Sequence, residues 1–253
     1  MIRNGWISPE RLGRPAHTGI TARLGRSLDS FASHIRLTRP AEVYDQGGVG
    51  SCVAQSLALA VECLALRQSL PAERPDRTAL YHRCRRAIGT VSEDSGAIIA
   101  DGIQVLRAGW EPELVAPSTQ WDESYTALPA DPPAMAPRVV NSEPLAHDLP
   151  TVLWELLCGH PVVVGLRLTA QWERPGEVIG PPEGEVVGGH AVCLVGYQRD
   201  AGGVQVRCRN SWGSWGADGE VWLDARWLGL SHCGELHALR AIRRIHERST
   251  LTG

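Results

Sequence analysis

Lysine is absent from this chain: all 25 basic residues are arginine. Chemistry that needs a lysine amine, such as Schiff-base formation, is therefore excluded. Also missing is any run of 18 consecutive apolar residues, and residues 1–10 lack the apolar stretch of a signal peptide. A soluble, cytoplasmic protein with no membrane partner is the expectation. The seven cysteines, at 52, 63, 84, 158, 193, 208 and 233, are odd in number and include no C-x-x-C pair. That pattern fits neither a disulfide framework nor a zinc ribbon and suggests buried free thiols. No H-E-x-x-H occurs, and neither His82 with Cys84 nor His232 with Cys233 and His237 has structural zinc spacing. Nothing here calls for a metal or a cofactor. Like charges form no block and the net charge is only −3, which argues against a nucleic-acid partner. There is no internal repeat of fixed period.

What remains is 253 residues with 43% apolar and 21% charged side chains, enough for a sizeable core. Residues 1–40 are rich in Arg, Gly and Ser and read as an extended arm, with a short strand near Ser33–Leu37. After them comes Tyr44-Asp45-Gln46-Gly47-Gly48-Val49-Gly50-Ser51-Cys52, a glycine-rich loop in which Gly47, Gly48 and Gly50 are free to take positive φ. From Cys52 to about Arg67 the residues are small or apolar without Gly or Pro, the pattern of a buried helix. Further helices are expected over Thr78–Ile88, Ile98–Ala108 and Leu149–Leu157. Trp110–Asp148 reads as a long covering loop. Strands are expected over 161–168, 190–197, 204–209, 220–223 and 236–245, with Pro175–Gly189 as an exposed loop between two of them. Helices first and strands second make an α+β fold: a helical lobe over about 41–148, a β lobe over about 149–245, and a cleft between them.

A thiol at a helix N-terminus lies where unpaired N–H groups and the positive end of the helix dipole favour its anion, so the Cys52 pKa is expected to fall. Backbone N–H groups at the same turn, together with the Gln46 amide, are suited to an oxyanion. A cysteine in an apolar helix is equally a plain small hydrophobe, so the assignment depends on a partner base. His190 supplies a candidate. It opens an apolar strand after Gly188 and Gly189, two glycines that admit a close substrate backbone. Asn210, in Asn210-Ser211-Trp212-Gly213-Ser214-Trp215-Gly216, is placed to accept from the imidazole N–H and fix its tautomer, with Trp212 keeping water off that bond.

In order and spacing, Gln46-Gly47-x-x-Gly50-Ser51-Cys52, Gly189-His190-Ala191 and Asn210-Ser211-Trp212-Gly213 resemble the papain-like cysteine peptidases. His190 and Asn210 follow Cys52 by roughly 140 and 160 residues, close to the separation in that family. Ser95-Gly96-Ala97 through Asp101-Gly102-Ile103 to Gly109-Trp110-Glu111-Pro112-Glu113 is similar to the segment that bacterial members without a long pro-region carry between Cys and His. The resemblance implies a two-lobed fold with a central Cys-bearing helix and an antiparallel sheet or barrel carrying His and Asn. It implies Cys52 as nucleophile, His190 as general acid and base, Asn210 as orienting residue and Gln46 as oxyanion donor, with Gly188, Gly189 and Trp212 at the substrate and a peptide or protein as that substrate. Val49 and Val53 stand where the family usually has a cysteine and an aromatic residue. One family disulfide is thereby impossible. The 51 residues before Cys52 are too few for a folded inhibitory pro-domain, and residues 1–40 are expected to cover part of the cleft. Two alternatives stay open: an acyl-enzyme resolved by an amine, as in ligation, cyclisation or acyl transfer, and a non-catalytic peptide-binding module.

Overall fold

The computed structural model describes residues 5–15, 31–71, 74–133 and 136–243. Among them are four α-helices, α1 (Cys52–Arg67), α2 (Arg77–Ile88), α3 (Ile99–Ala108) and α4 (Leu149–Leu157). The strands are β1 (His34–Arg36), β2 (Arg138–Pro144), β3 (Val162–Leu168), β4 (Val178–Ile179), β5 (Gly188–Asp200), β6 (Gly203–Arg209), β7 (Glu220–Asp224) and β8 (Cys233–Arg243). They form one sheet in the order β2-β8-β3-β5-β6-β7-β4, with β1 added along β5. All pairings are antiparallel except β4 with β7.

Helix α1 is buried without a break from Cys52 to Ala65, as an all-round apolar helix must be. It has no side-chain N-cap. Asp76 caps α2 by accepting from the Ala79 N–H, and Gly89 ends it in the left-handed conformation at φ 74°. Side chains alternating along β3 and β5 supply two cores. Val163, Ala191, Cys193 and Val195 face α1, while Val162, Val164, Val192 and Leu194 face α4 and a group of tryptophans. The sheet is therefore covered on both faces, and its central strand β5 touches both cores.

Three stretches differ from the sequence expectation. The covering loop over 110–148 contains a 3-10 turn, Glu123–Tyr125, and the strand β2, which pairs with β8 through two register shifts. The 175–189 segment is not wholly loop, since it holds β4 and ends inside β5, whose first residues are Gly188 and Gly189. The arm is more than extended chain: Pro9–Leu12 form a 3-10 turn and β1 pairs with β5. Residues 1–4 and 16–30 of the arm, and residues 244–245 of the last expected strand, lie outside the described residues.

Candidate active site

Cys52 is the first residue of α1, and its sulfur accepts the Ala191 N–H at 3.3 Å. One turn further on, the Ser56 hydroxyl donates to the Ala191 carbonyl at 2.9 Å. These two bonds pin the start of α1 to the residue that follows His190, so chain positions far apart in sequence become neighbours. The loop ahead of Cys52 is held from three sides. Gly50 N–H donates to both oxygens of Asp94 at 2.9 and 3.0 Å, and Asp94 also accepts from the Tyr81 hydroxyl at 2.7 Å. Gly48 N–H donates to Thr119 O at 2.7 Å. Of the three loop glycines only Gly47 has a positive φ, 57°, and a Cβ there would stand 1.9 Å from Thr119 O. The expectation of positive φ thus holds at one position, and Gly48 and Gly50 need no special conformation.

The third side is the segment after β6. Gln46 N–H donates to Ser211 O at 2.9 Å, Gly213 N–H to Tyr44 O at 3.0 Å, and the Ser211 hydroxyl to Gln46 Oε1 at 2.7 Å. The nucleophile loop and the Asn210 loop are thereby one hydrogen-bonded unit. Gln46 Nε2 donates one of its two hydrogens to Val49 O at 2.7 Å, which leaves the other.

His190 Nε2 lies 2.7 Å from Asn210 Oδ1. The Ser211 N–H also donates to Asn210 Oδ1 at 2.7 Å, which identifies that atom as the acceptor oxygen. Nε2 must then carry the proton, and Nδ1, which is buried and has no partner, keeps its lone pair. The Trp212 ring lies 4.4 Å from the His190 ring, centroid to centroid, tilted by 32°. Trp172 and Trp215 stack at 5.4 Å behind it and Trp172 meets Trp227 edge-on.

Cys52 and His190 are both fully buried. What covers them is the arm. Gly5 packs on the nucleophile so closely that a Cβ would come 2.8 Å from Cys52 Sγ and 2.4 Å from Gly50 O. Gly5 N–H donates to Gly189 O at 3.1 Å, Ala97 N–H donates to Gly5 O at 2.7 Å, and Ile7 N–H donates to Ala97 O at 2.9 Å. Beside this crossing a cavity of about 590 Å³ runs between arm residues such as Ile7 and Arg11 and the wall of Arg167, Val186, Val187 and Gly188.

Burial under the arm corrects the expected acidity of the thiol. Desolvation pushes Cys52 up to about 12, against the lowering effect of the Ala191 and Val53 N–H groups, and the Asp94 carboxylate adds to the rise. Desolvation likewise pulls His190 down to about 4, although its bond to Asn210 acts in the other direction. In the covered form both groups are neutral near pH 7. The other six cysteines are free as well, five of them buried.

Gln46, Cys52, Gly189, His190, Asn210 and Trp212 therefore converge, while Gly188 lines the neighbouring cavity wall. Sequence reading missed Trp6, Tyr81, Asp94, Ser211 and Glu235. Asp94 carried a faint signal, a carboxylate in a Ser-Glu-Asp-Ser-Gly turn, but nothing local tied it to Gly50.

Xylellain, a cysteine protease from Xylella fastidiosa, superposes on the chain with a TM-score of 0.74 at 25% identity, over 96% of this chain and 99% of that one. The fold is papain-like. Procathepsin B S9 from Trypanosoma congolense and bromelain from Ananas comosus share the papain-like architecture at TM-scores of 0.66 and 0.64, each with 17% identity. They cover 96% and 81% of this chain, and 86% and 97% of their own. Among curated proteins, an uncharacterised peptidase C1-like protein of Acanthamoeba polyphaga mimivirus is 28% identical over 197 residues, 69% of this chain and 61% of that protein. A cathepsin B-like protein of Giardia intestinalis is 29% identical over 200 residues, 70% of this chain and 62% of that protein. The chain thus matches about three fifths of the length of these two relatives. No family model matches it. Among the described residues no helix is long and apolar enough to cross a membrane.

Proposed function

We propose that this papain-like chain is a cysteine peptidase that hydrolyses amide bonds of a peptide or protein substrate through Cys52, His190, Asn210 and Gln46. The observation that carries the reading is the tautomer: Asn210 holds the Nε2 proton of His190, so the free Nδ1 lone pair is available to take the proton of the Cys52 thiol, whose sulfur is held by the N–H of Ala191, the residue after His190. Cys52 gives its proton to Nδ1 and its sulfur bonds to the substrate carbonyl carbon. The oxyanion receives the Cys52 backbone N–H and the second Gln46 N–H. As the C–N bond breaks, the Nδ1 proton goes to the leaving amine and a thioester remains. Water then gives a proton to Nδ1, its oxygen attacks the thioester, and the carboxylic acid and thiol are released. Trp212 packs on the imidazole and limits water around the Asn210 bond.

Residues 5–8 occupy the place of a substrate, so the covered form is latent and the arm must lift before turnover. Intact-mass analysis after exposure to an epoxide inhibitor of thiol peptidases, with wild type and Cys52→Ala in parallel, tests the nucleophile. One adduct on Cys52 and none in Cys52→Ala is expected, together with hydrolysed peptide products by mass spectrometry. Full turnover by Cys52→Ala would overturn the proposal, and amine-capped products in place of free acids would replace hydrolysis with acyl transfer.

A further inference from the structure

The turn between α2 and α3 is built to present one carboxylate. Arg85, fully buried, donates to the carbonyls of Val91, Glu93 and Tyr125, and its guanidinium lies 4.3 Å from the centre of the Tyr81 ring, one helical turn earlier. The Thr90 and Ser95 hydroxyls meet at 2.6 Å and close the turn. Asp94 lies between them and is exposed, so filling the core is not its role. Its carboxylate points inward: Oδ1 accepts the Tyr81 hydroxyl at 2.7 Å, and both oxygens accept from the Gly50 N–H, at 2.9 and 3.0 Å. The Tyr81 oxygen in turn accepts the Gly96 N–H at 2.9 Å. All seven cysteines are free, so no disulfide holds this part of the nucleophile loop.

The peptide that Asp94 grips is the one on which the Gln46 side chain rests. The Val49–Gly50 peptide has its N–H on the carboxylate and its C=O on Gln46 Nε2, the latter at 2.7 Å. A trans peptide is a rigid plane, so holding its N–H fixes the direction of its C=O. Gly50, without a Cβ, offers little resistance to rotation of that plane. At the other end of the Gln46 amide, Oε1 is held by the Ser211 hydroxyl, a donor that can turn. The direction of the second Gln46 N–H therefore depends on Val49 O, and that of Val49 O on Asp94. We infer that Asp94 is the positioning residue of the oxyanion hole: through the Val49–Gly50 peptide it aims the Gln46 amide at the oxygen of the attacked carbonyl. This rests on the peptidase reading above. Without the carboxylate, the buried Gly50 N–H loses a charged acceptor, the peptide plane turns, and Gln46 follows Val49 O out of line.

The test is a double-mutant cycle in the full chain carrying Trp6→Ala, with Asp94→Ala and Gln46→Ala singly and together, and Asp94→Ser in place of Asp94→Ala should that variant not fold. Three quantities are measured: kcat and KM for hydrolysis of a peptide amide, the affinity of a peptide aldehyde of the same sequence, and the rate of Cys52 alkylation by iodoacetamide. The aldehyde takes the thiol across its C=O, sulfur to carbon and proton to oxygen, which leaves that oxygen in the hole. Iodoacetamide reacts at a saturated carbon, sulfur displacing iodide, and makes no oxyanion. Asp94→Ala is expected to lower kcat and aldehyde affinity about ten- to a hundredfold, with KM and the alkylation rate unchanged to within about threefold. In the Gln46→Ala background the same substitution should change kcat and aldehyde affinity by less than about threefold. Asp94→Asn, which keeps an acceptor for the Gly50 N–H, should recover most of the loss. Effects that add in the cycle, or an alkylation rate that falls in step with kcat, overturn the positioning role and leave the peptidase reading intact. Aldehyde binding that follows the cycle in an enzyme that hydrolyses no peptide overturns the peptidase reading and leaves the positioning role standing. A chain that neither binds the aldehyde nor hydrolyses peptide overturns both.

Discussion

Truncating the side chain that anchors the cover should expose the nucleophile by a calculable amount. Trp6 is 4% exposed, and its ring contacts the sheet at Gly165 and Gly234. Replacing a buried Trp by Ala costs about 3–5 kcal/mol, and here the loss falls on the covered state alone, because the lifted arm leaves position 6 in water. At about 1.4 kcal/mol per factor of ten, the fraction of molecules with an open site rises roughly two to three and a half decades in Trp6→Ala. Trp6→Phe keeps a ring but not the N–H to Glu235. Losing that one bond, at about 1–2 kcal/mol, should open the site about tenfold. The assay is the second-order rate of epoxide labelling at Cys52, read by intact mass at pH 7, with circular dichroism confirming that each variant is folded. In the covered form the thiol is near 12 and the imidazole near 4, both through burial, so labelling should proceed only through the open form. The order expected is wild type, then Trp6→Phe, then Trp6→Ala. Folded variants that label at the wild-type rate would refute the idea that Trp6 holds the arm down.

Asn210→Ala, measured against the Trp6→Ala background, should lower kcat by roughly ten- to a hundredfold, about 1.4–2.8 kcal/mol in the barrier, because it releases the imidazole tautomer while keeping the thiol. An unchanged kcat would remove Asn210 from the mechanism. Acid stability offers a separate check, in the arginine cluster around Glu220. Burial raises the Glu220 pKa, but Arg39 and Arg207, with Arg209, more than offset it and hold the carboxylate at about 2, below its ordinary 4.5. A depressed folded-state pKa contributes stability that is present above 4.5 and is lost as pH falls through about 2. Glu220→Gln should therefore lower Tm at pH 7 and flatten the fall in Tm between pH 4.5 and 2. A Tm profile parallel to that of wild type would count against it.

The helices and most strands were legible because their signals are local. Cys52–Ala65 is small or apolar at nearly every position and buried on every face, and Leu149–Leu157 starts after Asp148, whose side chain caps it, with Pro150 in its first turn. Strand β2 was not legible. Arg138–Pro144 contains Asn141, Ser142, Glu143 and Pro144, and it becomes a strand only because it lies at the sheet edge beside β8, about a hundred residues later. Nor was the acidity of Cys52 legible. The helix N-terminus is a local feature and argues for a low pKa, whereas the opposing desolvation comes from Gly5 and its neighbours, which no spacing rule brings near.

By itself the sequence determined the order of elements and the identity of the groups able to do thiol chemistry, since residue types and short-range periodicity carry both. It also determined that Gly47 and its loop precede a buried helix. Only the tertiary structure decided which of these groups meet. Ala191 bridging Cys52 and Ser56, Ser211 tying Gln46 to Asn210, Asp94 holding Gly50, and Trp6 lying on three glycines from three strands are contacts between distant positions. Such contacts are set by sheet register and by desolvation. Both are properties of the packed chain rather than of any window along it.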